Sequence, residues 1–157
     1  MKLFLICWIC LFIKIDNSNT PIQGTYSYRY GKTNDAPFGL LKIHAVKRGQ
    51  YLFYLEIGKG APSYDSGAAY GKLTYNERSG NYEYIPKDTI ADCKLEFIRN
   101  KNKITIKTIA GDCGFGFGVY ADGTYYLKDS KNPLYIISRA NKKIYFNNTS
   151  PEKFRED

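Results

Sequence analysis

The chain has 157 residues, 23 of them Lys or Arg against 15 Asp or Glu, for a formal net charge of +8. That length fits one domain with a sizeable core. The basic balance suits an anionic surface, polymer or partner, and equally a solvated outer face. Its charges are scattered (Lys42, Lys47, Arg48, Lys72, Lys94, Lys103, Lys107) and form no block, which favours the solvated face. His44 is the one histidine, so no His/Cys/Asp metal cluster is expected, nor any cofactor.

Lys2 precedes the apolar run Leu3 to Ile13, and the polar stretch Asp16 to Thr20 follows it. One charge, a short apolar stretch and a polar exit describe a secretory signal peptide over residues 1–20. The run is too short to span a bilayer, which takes about 20 apolar residues. No small-residue pair marks a cleavage site, and Pro21 is a poor residue just after a cut. Cys7 and Cys10 lie inside the run. Bulky Ile9 before Cys10 and Leu11 to Ile13 after it argue against a lipid-anchor cysteine. The expected location is the periplasm or the medium, with membrane association only if the leader is retained.

From Gly24 onward the apolar pattern has period two. Tyr26, Tyr28 and Tyr30 alternate with Thr25, Ser27 and Arg29, and Leu41, Ile43 and Ala45 with Lys42, His44 and Val46. Tyr51 to Ile57 is an apolar run of strand length. Leu73 and Tyr75, Tyr82 and Tyr84, Leu95 and Phe97, Ile104 and Ile106, and Tyr125 and Leu127 continue the series. Such alternation puts one face on a core and the other in water. Lys47 to Gln50, Arg78 to Asn81 and Arg99 to Asn102 read as hairpin turns. The expected fold is all-β: a single antiparallel up-and-down barrel of about eight strands. Its domain should span residues 21–146, with Leu134–Ile137 and Ile144–Phe146 as an appended hairpin. Residues 147–157 read as a polar, fraying tail. Asn147-Asn148-Thr149 and Asn148-Thr149-Ser150 match N-glycosylation acceptors, which matters only for a eukaryotic source.

Cys93 and Cys113 are the cysteines beyond the leader, and in an exported chain they are expected to pair. If Phe97 opposes Ile104, Cys93 falls opposite Thr108 and Cys113 follows a turn at Gly111-Asp112. The bridge closes a loop of about 20 residues, worth about 3 kcal/mol by chain entropy. A redox pair would instead favour C-x-x-C at a helix start. Gly114, Gly116 and Gly118 alternate with Phe115, Phe117 and Val119. A phosphate-binding loop would need a helix next. Val119-Tyr120 and Thr124 to Tyr126 read as strand, so the run is expected to be a glycine-kinked β-segment, with a turn at Asp122-Gly123.

The order Cys93-x-Leu95-x-Phe97, Ile104-x-Ile106, Cys113-Gly-Phe-Gly, Gly118-Val119 and Asp122-Gly-Thr-Tyr resembles a group of small exported bacterial barrels. The likeness covers roughly residues 91–128. It implies a lipocalin-like (calycin-type) barrel and brings no catalytic residue. Ser66-Gly67-Ala68-Ala69-Tyr70 resembles the S-G-x-x-Y element of the periplasmic C-type lysozyme inhibitors of the MliC type. That likeness implies that Ser66 and Tyr70 project from an exposed loop into the enzyme cleft, whereas the residues by themselves read as a glycine-bearing strand edge.

Catalysis has few places to enter. His44 reads as an exposed or half-exposed strand residue. Glu56, Glu83 and Glu96 sit on separate strands and make no carboxylate pair. Tyrosine is abundant, 15 with nine Phe, and suits cross-strand packing as well as sugars, peptides and partner proteins. The expectation is a non-enzymatic exported module binding a protein, glycan or small apolar ligand, and no nucleic acid. The contact residues would be Ser66 and Tyr70, the face of Tyr26, Tyr28 and Tyr30, or the barrel interior. Inhibition of a C-type lysozyme and a structural role in the envelope are the alternatives.

Overall fold

The computed structural model describes residues 21–29, 36–47, 49–87, 92–138 and 140–154. The expected signal peptide and Tyr30 lie outside the described residues.

Eight antiparallel strands close into a barrel in sequence order: β1 (Gly24–Tyr28), β2 (Phe38–Lys47), β3 (Gln50–Gly58), β4 (Ser66–Asn76), β5 (Asn81–Tyr84), β6 (Lys94–Asn100), β7 (Lys103–Ala110) and β8 (Gly123–Asp129). β8 returns to pair with β1, Tyr26 opposite Leu127, which leaves the barrel no open edge. The fold class read from the alternation is the one observed, with a Cys93–Cys113 disulfide and only 5% helix. On β2, Leu41 and Ile43 point inward while Lys42 and His44 point outward. On β7, Ile104 and Ile106 point inward while Thr105 and Lys107 point outward. Apolar residues inside and polar ones outside reverse the pattern of a lipid-facing barrel.

Aromatic rings fill the interior. Phe53 packs edge-on against Phe97 and Tyr84, with centroids 5.1 and 4.9 Å apart. Tyr26, Leu41, Leu55, Ile106 and Tyr125 complete the packing at nearly zero exposure. Eight strands enclose a space that side chains of this size can fill.

The two ends differ. Short hairpins join β2–β3, β4–β5 and β6–β7 at one end, where Ile22 is buried across the opening. The other end carries the longer connections, including 59–65 and 111–122, and Phe115, Val119 and Ala121 are buried there. Each barrel mouth is thereby stoppered by its own chain.

Beyond β8 the chain climbs the outside of β2 and forms a small antiparallel hairpin, β9 (Tyr135–Ile137) and β10 (Lys143–Tyr145). Two 3-10 turns follow, Phe146–Asn148 and Pro151–Lys153. This arm buries a second apolar layer, Ile136 and Phe146 against Tyr54 and Tyr70. Phe154 stacks on Tyr70 with ring centroids 4.9 Å apart. Residues 147–154, read as a fraying tail for their polarity, therefore pack on the barrel. The apolar anchors that hold them are Phe146 and Phe154, too far apart in sequence to make a period.

Three further readings need correction. The β6–β7 register lies two residues from the expected one: Phe97 opposes Ile106 and Leu95 opposes Thr108. The turn is the tight pair Lys101-Asn102, and a bulge follows Lys94. Residues 111–122 are not strand. Gly114, Gly116 and Gly118 all have positive φ (74°, 99°, 69°), and a chain that repeatedly enters the left-handed region cannot stay in a ladder. His44 is not exposed. The arm covers its strand face and leaves it 3% accessible.

Candidate functional site

The sequence-predicted contact residues are not brought together. Tyr26 is a core residue, 3% exposed, and its hydroxyl donates to Ile22 O at 2.9 Å. Tyr28 is half-buried at the loop end with its ring 6.2 Å from that of Tyr125. Ser66 and Tyr70 sit in strand β4, not in a loop, because Gly67, Ala69 and Gly71 make an inward face that continues into Leu73. Ser66 is half-buried at the start of the strand, opposite Gly58. Tyr70 points outward but lies under the arm, 6% exposed, and donates its hydroxyl to Thr149 O at 2.8 Å. Burial pushes its phenol up to about 12. The projecting geometry that the inhibitor resemblance implied is absent for Tyr70.

His44 is likewise enclosed. Its Nδ1 donates to Pro133 O at 2.8 Å, its Nε2 meets the Asn147 side-chain amide at 3.1 Å, and the ring stacks on Phe146 at 5.0 Å. Both nitrogens are occupied by the arm, so the ring works as a latch. Among the described residues no group of His, Cys, Asp and Glu could hold a metal ion.

What the fold presents to solvent instead is the loop end. The 111–122 loop is braced at several points. Cys113 is tied to Cys93 ahead of β6. Asp112 Oδ1 accepts the Gly114 N–H at 2.8 Å. Asp122 takes both the N–H and the hydroxyl of Thr108, at 3.1 and 2.6 Å. Phe115, Val119 and Ala121 point down into the barrel mouth, where Gly67 lets the Phe115 backbone lie directly against β4. Between these anchors, Phe117 is pushed outward and is 89% exposed, with Tyr120 at 75%.

Lys59 joins this loop to the neighbouring 59–65 loop. Its Nζ donates to Phe117 O at 2.9 Å, pairs with Asp65 at 2.9 Å, and lies 5.3 Å from the Phe117 ring centre. The Ser63 hydroxyl and the Lys59 ammonium together hold the Asp65 carboxyl below its usual range. Tyr64, on the same loop, is 57% exposed. Among the described residues this rim is nearly neutral, bears the exposed aromatic side chains Phe117, Tyr120 and Tyr64, and carries no histidine. Sequence reasoning passed over Phe117, Tyr120 and Tyr64. The available signal was the run of alternating glycines between a cysteine and an Asp-Gly, which reads as loop as readily as kinked strand.

A concavity of about 460 Å³ lies at the hairpin end between the arm and β3–β4, with Lys72, Lys153, Gln50, Asn148, Tyr51 and Leu52 in its lining. It is open to solvent, unlike the enclosed cavity that a barrel ligand would need.

Fold and surface together define a class: a closed eight-stranded antiparallel barrel with a packed interior and a disulfide-braced aromatic rim. Comparison with protein-family models, curated proteins and solved structures finds no match to this chain.

Proposed function

We propose that the protein is a non-enzymatic exported binding module that receives a partner protein on the loop end of its barrel, with Phe117 as the anchor. The observation that carries this reading is the exposure of a phenylalanine on a loop that cannot collapse to bury it. An apolar ring held out rigidly gives up little entropy on entering a partner's pocket, which is how interface hot spots work. A packed interior argues against a small apolar ligand in the barrel. A glycan would favour a flat tyrosine platform over a protruding ring without a hydroxyl. Enclosure of the His44 ring by the arm leaves general acid–base catalysis without a histidine. The apolar leader and the disulfide are consistent with an oxidising compartment.

The lysozyme reading takes a changed form. Among the described residues of this end, Arg29, Lys59 and Lys87 are balanced by Asp65, Asp92, Asp112 and Asp122, so a cationic enzyme meets least repulsion here. Inhibition would then use Phe117 and Tyr120, not Ser66 and Tyr70.

The test compares wild type with Phe117→Ala and Tyr120→Ala. Partners captured from the exported compartment are identified and titrated as purified proteins. Loss of affinity by tenfold or more in Phe117→Ala, with unchanged circular dichroism, supports the reading. Equal affinity of wild type and both variants for every captured partner rejects the loop end. Unchanged activity of C-type lysozyme with micromolar protein rejects the inhibitor version alone.

A further inference from the structure

The connections at the two barrel ends differ in charge as well as in length. At the hairpin end, Lys47, Arg78, Lys101, Lys103, Lys128 and Lys131 stand against Glu77 and Asp129. Most of these side chains are exposed. Among the described residues of the loop end the signs nearly cancel. No basic run marks the hairpin end in the sequence, because its charges arrive from three hairpins and the exit of β8. The barrel closes, and they become neighbours on one surface.

Two other features converge there. Val46 and Tyr75 are exposed at the hairpin ends of β2 and β4. The chain also enters the barrel at this end, through Ile22 and Gly24, so the apolar run Leu3 to Ile13 is joined on the basic side.

We propose that the hairpin end is a docking surface for an anionic membrane, read through its lipid headgroups. Basic side chains near such a surface each contribute about 1 kcal/mol of attraction. Exposed tyrosine and valine suit the headgroup level, where one side of a ring is apolar and the other wet. A soluble polyanion would be held best in a groove that tracks its backbone, whereas these charges stand on the tight turns and strand ends and do not line the concavity of Lys72 and Lys153. The surface acts whether or not the leader is present. With the leader attached, it would face the bilayer from the start.

The test uses the chain from residue 21, which contains every residue of both apolar cores, so that the leader cannot insert by itself. Binding is measured by flotation with phosphatidylcholine vesicles with and without phosphatidylglycerol, at low and near-physiological salt. Binding is expected only with the anionic lipid and should weaken steeply with salt. The triple variant Lys47→Gln, Lys101→Gln, Lys131→Gln should lower the partition coefficient by about a hundredfold, about fivefold per residue. A second triple, Arg29→Gln, Lys87→Gln, Lys107→Gln, removes the same charge away from the hairpin end and should lower it far less. Equal losses in the two triples would mean that net charge alone acts, and would overturn the proposal. So would equal binding to neutral vesicles. Retention on immobilised heparin without flotation would reassign the surface to a soluble polyanion and also overturn it.

Discussion

Tyr125 donates its hydroxyl hydrogen to Ala121 O at 3.0 Å, and this bond ties the end of the 111–122 loop to the strand it leads into. The same device stands at the opposite mouth, where Tyr26 holds Ile22 O. Adjacent strands β1 and β8 thus each use a core tyrosine to fasten the segment that stoppers one end. Tyr125→Phe keeps the ring but leaves the buried Ala121 carbonyl without this donor, at an expected cost of about 1–3 kcal/mol. Tyr26→Phe should behave alike. Because the two bonds lie at opposite ends, the double variant should be additive in urea unfolding.

Stability should fall at alkaline pH. Burial raises the phenol of Tyr125 far above its ordinary value, with a further push from Asp122. Burial likewise takes Tyr70 and Tyr82 up to about 12. An unfolded tyrosine ionises near about 10, so above that pH the unfolded state releases protons that the folded state still holds. The contribution is complete below about pH 10 and is lost as pH rises through the folded values. In a phenolate absorbance titration, the rise that belongs to Tyr70, Tyr82 and Tyr125 should coincide with loss of the β-sheet dichroism.

Reduction of Cys93–Cys113, or their joint replacement by serine, frees a segment with a sequence separation of 20. The expected loss is about 3 kcal/mol in chemical unfolding. Loop-end binding should weaken further than this loss of stability explains, because Phe117 is then no longer held out.

Gly67→Ala should be severe for a residue on a strand. The added Cβ would lie 2.5 Å from Phe115 O and against Phe115 Cα, and neither backbone can retreat past the disulfide. An overpacking cost of about 1–3 kcal/mol is expected, with the 111–122 loop displaced. Proteolysis within that loop in the variant, but not in wild type, checks it.

The arm should depend on its latch. Phe146→Ala removes a ring that stacks on both His44 and Tyr70, at about 3–5 kcal/mol for a buried phenylalanine. His44→Ala should loosen the same segment. Hydrogen exchange should then accelerate over residues 130–154 while β5 to β7 stay protected. A measurable hydrolytic activity abolished by His44→Ala would contradict the non-enzymatic reading.

Strands were legible in the sequence wherever a single face was buried. Leu41 and Ile43, or Ile104 and Ile106, alternate with polar residues because one pleat face meets the core, and period two is a local property of the chain. Legibility failed where burial came from distant residues. His44 and Tyr70 occupy the outward face of their strands, and only the arm returning from residues 130–154 makes that face interior. At Ser66–Tyr70 the residues themselves read as a glycine-bearing strand edge, as observed in β4, and only the S-G-x-x-Y likeness implied an exposed loop. Gly67 and Gly71 have no side chain because the Phe115 backbone and the Tyr84 and Phe53 rings press against that stretch of β4. Gly114 to Gly118 read as kinked strand because spacing shows alternation but not the sign of φ.

The sequence by itself determined the barrel and its disulfide, since both follow from alternation over a few residues and from paired cysteines. Tertiary structure alone decided which surfaces are available. Closure of the barrel gathered separated lysines and arginines at one end and raised Phe117 at the other. The arm took Tyr70 and His44 out of solvent. Exposure is a sum over contacts made by residues far apart in the chain, so no local pattern records it.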